Sequence, residues 1–435
     1  MYKKPNVQSM DKKKARILII AEELEYDRTS CGLLNTKMTE VLSQHFALHL
    51  LVGGRVGKPI FELPLASIEQ VKLQQPTAWK LMGKVPLLRS LPEKLTGFNH
   101  ASYYKLQQWT QAIKHKLAKD SYDLVLLLGS GMGWYAHMAF SNLLPYAGKF
   151  VISIHDPFPM AMLPEPYNVP IDNGQRQLMK RFNHLVEQAT GCYAPSLRLI
   201  EHLSPVYPAL ASKAVVVPHL AHQLPFLLQP ASPPAEKQVA LLAKIQPLHS
   251  STHFLLVHMG TLLEGRSPGY FISAMLQFLE SHPEAEAHTQ VVFIGQVHPK
   301  LLPEFDPAAN HKNFIIENNT RLTYGQALVL QKAAAANLVI ESATYHSPQL
   351  FGKFADAVMA DKPILCIGPA TSEARRVVGN DYPYQATNGK EEEIRLMIET
   401  LYRNWREQPN QTLQRPDLQH AFHPQRLVDA INSWL

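Results

Sequence analysis

Cysteine is scarce in this 435-residue chain: Cys31, Cys192 and Cys366 are its three, far apart and without the spacing of a metal site. Cys192 and Cys366 lie in apolar, strand-like runs, where cysteine usually acts as a small buried hydrophobe, and a reducing cytoplasm is the expected compartment. No apolar run approaches the roughly 20 residues that cross a bilayer. Lys12, Lys13 and Lys14 before Ile17-Leu18-Ile19-Ile20-Ala21 have the outline of a signal peptide, but the run is short and Glu22, Glu23, Glu25 and Asp27 follow at once. Also missing are an arginine-rich tract, a nucleic-acid motif, an internal repeat and any extended low-complexity segment. The 42 basic residues exceed the 36 acidic ones by only six. That excess suits anionic small molecules or an acidic membrane surface and argues against nucleic acid.

Against these absences, 46% of residues are hydrophobic and 18% charged, the composition of a globular protein long enough for two cores. Short apolar runs at 16–21, 48–52, 123–128, 150–154, 191–194 and 214–217 alternate with helical spacing at 36–46, 103–118 and 175–189. Such alternation predicts an α/β doubly wound sheet. Residues 54–100 show no order that periodicity can assign. The pattern loosens after His222, most of all across the proline-rich 229–234. A second series follows, with strands expected at 254–259, 291–295, 313–316, 338–340 and 363–367 and helices at 269–279, 324–336 and 351–360. Two such series predict two Rossmann-like domains facing across a cleft, 1–225 and 226–415. The amphipathic closing segment 416–435 is expected to return to the first domain. The glycines after the third expected strand, Gly129, Gly131 and Gly133, miss the Gly-x-Gly-x-x-Gly spacing and read as a strand-to-helix turn rather than a dinucleotide site.

The most informative stretch is 337–369. Its strand–turn–helix–strand pattern makes a βαβ unit, with Ser347-Pro348 in the turn and Lys353 and Asp356 near the helix start. Ligands in such units bind beyond the strands' carboxyl ends, near helix N-termini. Lys353 and Asp356, one turn apart, fit either a ligand contact or an intrahelical ion pair worth about 0.2–0.5 kcal/mol.

Two blocks carry a resemblance. The run Asp356-Ala357-Val358-Met359-Ala360-Asp361-Lys362-Pro363 resembles the donor-nucleotide motif of GT-B-fold glycosyltransferases similar to glycosyltransferase family 4. The run from His258 to Pro268, with Gly260 and Arg266, resembles the first strand, glycine turn and following basic residue of that family's second domain. The resemblance implies a transferase that moves a sugar from a nucleotide diphosphate sugar to an acceptor hydroxyl. It further implies a retained anomeric configuration, no metal, and no cofactor beyond the nucleotide-sugar co-substrate. Acceptors would be saccharides or lipid-linked intermediates of cell-surface synthesis, which suits a cytoplasmic protein associating peripherally with the inner face of the membrane.

Carried over by position, Gly260 and Arg266 would meet the diphosphate, for which the guanidinium fork is suited. Lys353 is a second basic candidate, and Asp356 would accept hydrogen bonds from ribose hydroxyls. Ser347 would help hold phosphate or sugar, or simply cap the turn. His155, ending a first-domain strand ahead of Asp156, is the catalytic candidate at the cleft floor. Glu373 is either a donor binder or a charge favoured at a helix start. One departure stands out. The family's Glu-x7-Glu pattern has Pro348 at its first acidic position here, which motivates an alternative: a noncatalytic protein that binds nucleotide sugars or glycans. A sugar epimerase would share the cleft but need paired first-domain carboxylates, and no convincing pair appears.

Overall fold

The computed structural model describes residues 14–26, 29–82, 97–129, 133–146, 148–224, 235–245, 252–318 and 320–435. Most of the N-terminal tail, the middle of the glycine turn (130–132) and the proline-rich 229–234 lie outside the described residues.

Seven strands form the first sheet: β1 (Arg16–Ala21), β2 (Ala47–Val52), β3 (Ser67–Gln70), β4 (Leu124–Leu127), β5 (Phe150–Ser153), β6 (Gly191–Ala194) and β7 (Ala214–Val216). Their order is β3-β2-β1-β4-β5-β6-β7, and every pairing is parallel. Six more form the second: β8 (Phe254–Met259), β9 (Thr289–Ile294), β10 (Phe314–Glu317), β11 (Ala336–Ile340), β12 (Ile364–Gly368) and β13 (Gln385–Thr387). These run in the order β10-β9-β8-β11-β12-β13, again all parallel. The order reverses between β1 and β4 and between β8 and β11, which opens a crevice at the carboxyl ends of those strands.

Burial explains why the strands read as continuous apolar runs. All four residues of β4 and all five of β11 and of β12 are buried, because helices cover both faces of a parallel sheet. On one face of the first sheet Leu18, Ile20, Val125 and Leu127 pack with Trp109, Phe140 and Phe182. On the other, Ile17, Ile19, Leu124 and Leu126 share a cluster with Met38 and Leu42 of helix Ser30–His45. Helix Gln425–Trp434 adds Leu427, Val428 and Ile431 to that same cluster. The last helix is thus built into the first domain's core.

Its anchoring is specific. The Lys149 ammonium donates to the Leu435 carbonyl at 2.6 Å, and Trp434 lies so close over β6 that a Cβ on Gly191 would sit 2.1 Å from the indole nitrogen. Just before this helix, the Ala221 amide donates to the Phe422 carbonyl at 3.0 Å. That bond ties the chain leaving the first domain to the chain returning to it.

Three features escape the sequence periodicity. Strand β3 falls in the unassigned 54–100 region, and β13 is only three residues long. Helix Ser30–His45 starts six residues before the expected 36, because the Thr29 hydroxyl accepts from the Gly32 amide and caps it. Among the described residues no helix is long and apolar enough to cross a membrane.

The Gly191 contact yields a test. Replacing Gly191 with Ala forces Trp434 off β6, and overpacking of this kind costs about 1–3 kcal/mol. The expected result is a lower urea midpoint and faster amide exchange across 425–434; unchanged exchange there contradicts the packing described.

Candidate functional site

The second domain's side of the crevice is built around Gly260, the first residue after β8. Its φ of +121° suits glycine, and a Cβ would lie 3.0 Å from the Lys353 ammonium. The bare backbone therefore lets Lys353, from the first turn of helix Gly352–Ala360, lie down against the end of the strand. Arg266 arrives on the loop after β8. Its guanidinium stacks over the Phe351 ring at 3.9 Å and donates to the Thr261 carbonyl at 3.4 Å. Gly260, Arg266 and Lys353 are thus brought together.

These two cations are half-buried, and neither has a hydrogen-bonding anion among the described residues. The Lys353 Nζ and the Arg266 Nε are both shielded from solvent and lack a hydrogen-bond partner. Burial, with the Arg266 charge adding to it, pushes the Lys353 ammonium down to about 7. Burial also lowers the Arg266 guanidinium to about 10, against the opposing pull of Glu341 and Asp156. Desolvating like charges side by side is unfavourable unless something negative arrives. An anion between them would satisfy both.

Asp356 faces elsewhere in its bonding. Although one turn from Lys353, it pairs across the interface with Lys37 of helix Ser30–His45, Nζ to Oδ1 at 2.6 Å, and accepts from the Tyr324 hydroxyl at 3.3 Å. The intrahelical ion pair with Lys353 does not form, because the first domain supplies a better-placed ammonium. Ser347 is buried, and its hydroxyl donates to Glu341 at 2.9 Å. The backbone of Ser347 is held on both sides, its amide to the Thr371 carbonyl and its carbonyl to the Glu373 amide, each at 2.9 Å.

Glu373 serves the interface too. Its carboxylate accepts from the Leu197 and Arg198 amides at 3.0 and 3.3 Å, at the start of helix Leu197–Leu203, while Arg376 grips both oxygens at 2.7 and 2.8 Å. A carboxylate at a helix N-terminus meets unpaired amides and the positive end of the dipole. Both its oxygens are engaged in joining the domains.

On the first domain's side, His155 follows β5 and is buried edge-on to His219, ring centroids 5.4 Å apart. Burial lowers its imidazole to about 4, so the ring is neutral at neutral pH. The same two histidines, with Leu34, Met38 and Tyr193, line a small cavity. A Cβ on Gly129 would come within 3.1 Å of the His155 ring, so the glycine after β4 makes room for it. The next residue, Asp156, accepts a hydrogen bond from Gln349 of the second domain, and burial raises its carboxyl. His155 and Asp156 thus enter from one sheet while Arg266 and Lys353 enter from the other.

Three residues escaped the sequence reading. Glu341, directly after β11, is almost wholly buried, and burial raises its carboxyl to about 7 despite the Ser372 and Ser347 hydroxyls and the Arg266 and Arg375 charges. A charged residue ending an apolar strand was the available signal. Gln349 and Lys37 carried none, since their partners lie 193 and 319 residues away.

No protein-family model and no curated protein sequence matches the chain. Solved structures do. A glycosyltransferase from Rickettsia africae ESF-5 superposes with a TM-score of 0.60 at 14% identity, covering 97% of this chain and 98% of that one. An alpha,alpha-trehalose-phosphate synthase (UDP-forming) from Burkholderia vietnamiensis gives 0.57 at 10% identity, over 96% and 99%. The S. aureus MnaA–UDP co-structure gives 0.54 at 13%, over 97% and 96%. The fold is GT-B. In this GT-B molecule both sheets present their carboxyl ends to one interdomain crevice, and the residues above are the ones found there.

The depressed His155 value makes a sign-definite prediction. A group that binds its proton more weakly when folded adds stability above its unfolded value, roughly 6.5, and that stability is lost as pH falls towards about 4. His155→Asn is expected to flatten the decline of the urea midpoint between about pH 6.5 and 4.5; an equally steep decline argues against the buried neutral ring.

Proposed function

We propose that this protein is a glycosyltransferase that takes a nucleotide diphosphate sugar as donor and transfers the sugar to an acceptor hydroxyl. The observation that carries the reading is the pair of half-buried cations, Arg266 and Lys353, whose Nε and Nζ lack a hydrogen-bond partner, at the Gly260 end of β8 beside a helix N-terminus. A departing diphosphate needs such neutralisation, supplied by fixed positive groups in a site that excludes water. Full-length similarity to a glycosyltransferase, to a UDP-forming synthase and to a UDP co-structure supports the same class of ligand.

Within this reading Arg266 and Lys353 hold the diphosphate, and Gly260 lets them approach it. Asp356 accepts from the ribose, and Ser347 shapes the turn. His155, neutral and delivered by the first domain, meets the donor sugar or the acceptor hydroxyl. With charge neutralisation in the hands of side chains, the reaction is proposed to be metal-independent and without a resident cofactor, and the resemblance to glycosyltransferase family 4 further implies that the anomeric configuration is retained. The acceptor is proposed to be a saccharide or lipid-linked intermediate of cell-surface synthesis, with peripheral attachment at the membrane's inner face.

Pro348 favours a second reading, a noncatalytic nucleotide-sugar or glycan binder. It occupies the position of an acidic sugar contact, and its carbonyl is taken by the Ser196 hydroxyl of the first domain. Chromatographic detection of transfer or donor hydrolysis by purified protein separates the two.

The donor site is tested by thermal shift with UDP-, GDP-, ADP- and dTDP-sugars. A ligand at a hundred times its dissociation constant stabilises by about 2.7 kcal/mol. A shift for one of these in the wild type, abolished in Arg266→Ala, is expected; no shift with any at millimolar concentration contradicts the reading. Lys353 adds an independent signature. An arriving diphosphate raises its ammonium from about 7, so binding at about pH 7.5 takes up protons. Calorimetry in buffers of different ionisation enthalpy is expected to record uptake of a fraction of a proton, lost in Lys353→Met.

A further inference from the structure

The Lys37–Asp356 pair joins elements 319 residues apart and from different domains. Lys37 is 1% exposed, so its ammonium is removed from water in order to reach this one carboxylate. It lies 4.9 Å from the centre of the Tyr324 ring and 3.5 Å from the Leu220 carbonyl. Tyr324, from the start of helix Tyr324–Ala333, places its hydroxyl 3.3 Å from the same carboxylate and 3.3 Å from the His222 carbonyl. Among the described residues both hydrogen bonds to Asp356 fall on Oδ1, leaving Oδ2 open.

We propose that Lys37 is a positioning residue for ribose recognition: reaching across from the first domain, it fixes Asp356 Oδ1 so that Oδ2 is presented to a ribose hydroxyl of the donor nucleotide. The inference rests on the donor-site reading above and goes beyond it. A carboxylate held at one oxygen by a buried ammonium gives up its rotational freedom, which favours a hydrogen bond from a hydroxyl at the other. Because the ammonium belongs to the opposite domain, the ribose contact is complete only when the domains are together. Nucleotide binding and domain closure are thereby coupled through one ion pair.

The distinguishing feature of this role is its confinement to the ribose. Calorimetric titration of wild type, Lys37→Met, Tyr324→Phe and Arg266→Ala is made with UDP, GDP and ADP and with the 2′,3′-dideoxy form of each. Lys37→Met is expected to weaken the ribonucleotide that binds by about tenfold, the loss of one charge-assisted hydrogen bond, and to leave its dideoxy form unchanged. Tyr324→Phe is expected to show a smaller loss with the same selectivity, and it decides the matter if Lys37→Met does not fold. The proposal is overturned if the variants bind ribonucleotides as tightly as wild type, or more tightly, or lose both forms equally. If Arg266→Ala also binds as wild type does, or the wild type binds none of the nucleotides, the donor-site reading itself has failed.

Discussion

Parallel strand pairing is the constraint on which the rest of this molecule depends. A strand that pairs parallel to its neighbour must return by a crossover, so all thirteen strands among the described residues end on the same side of their own sheet. The helices that make the crossovers also start on that side, with first-turn amides that no carbonyl of their own helix can satisfy. Loops following β1, β4, β5, β8, β11 and β12 therefore collect at two facing edges, and most residues of the candidate site sit in those loops or in the first turns of the helices beside them. Glu373 on the amides of Leu197 and Arg198, Gln349 on Asp156 and Lys37 on Asp356 are all products of that geometry.

What lies in the sequence and what does not follows the range of the interactions. Strands β1, β6 and β8 appear at their observed limits because burial on both faces leaves an unbroken apolar run, a purely local signal. Helix spacing at 269–279 and 351–360 is equally local. Strand β3, Ser-Ile-Glu-Gln, is only half-buried at the sheet's edge and so has no apolar signature. Helix Glu391–Glu407 buries Ile394, Met397, Ile398, Leu401, Tyr402 and Trp405 at regular helical intervals. Its periodicity is a local signal of the same kind.

The site divides along the same line. Gly260 and Arg266 are recognisable from their block and Lys353 from the strand–turn–helix–strand stretch 337–369, and the three do meet. How each polar group is satisfied was not recoverable, because satisfaction is a property of the interface. Spacing alone made Lys353 the natural partner of Asp356, yet the ion pair forms with a lysine 319 residues away. Glu373 could be placed at a helix start, but the amides it satisfies belong to a different helix in the other domain. The buried carboxyl of Glu341 shows the same lesson in reverse: a single residue at the end of a strand, ordinary in sequence, holds Ser347 and faces the charge of Arg266.

The backbone bond between Ala221 and Phe422 has a mechanical consequence. The polypeptide passes between the two halves twice, once outward after β7 and once back before the last helix. Two independent tethers would let the halves swing and also twist. Fastened to each other at Ala221 and Phe422, the two passages lie side by side, so any movement of the halves that draws them apart at that point has to break this bond and pull on the terminal helix anchored over β6.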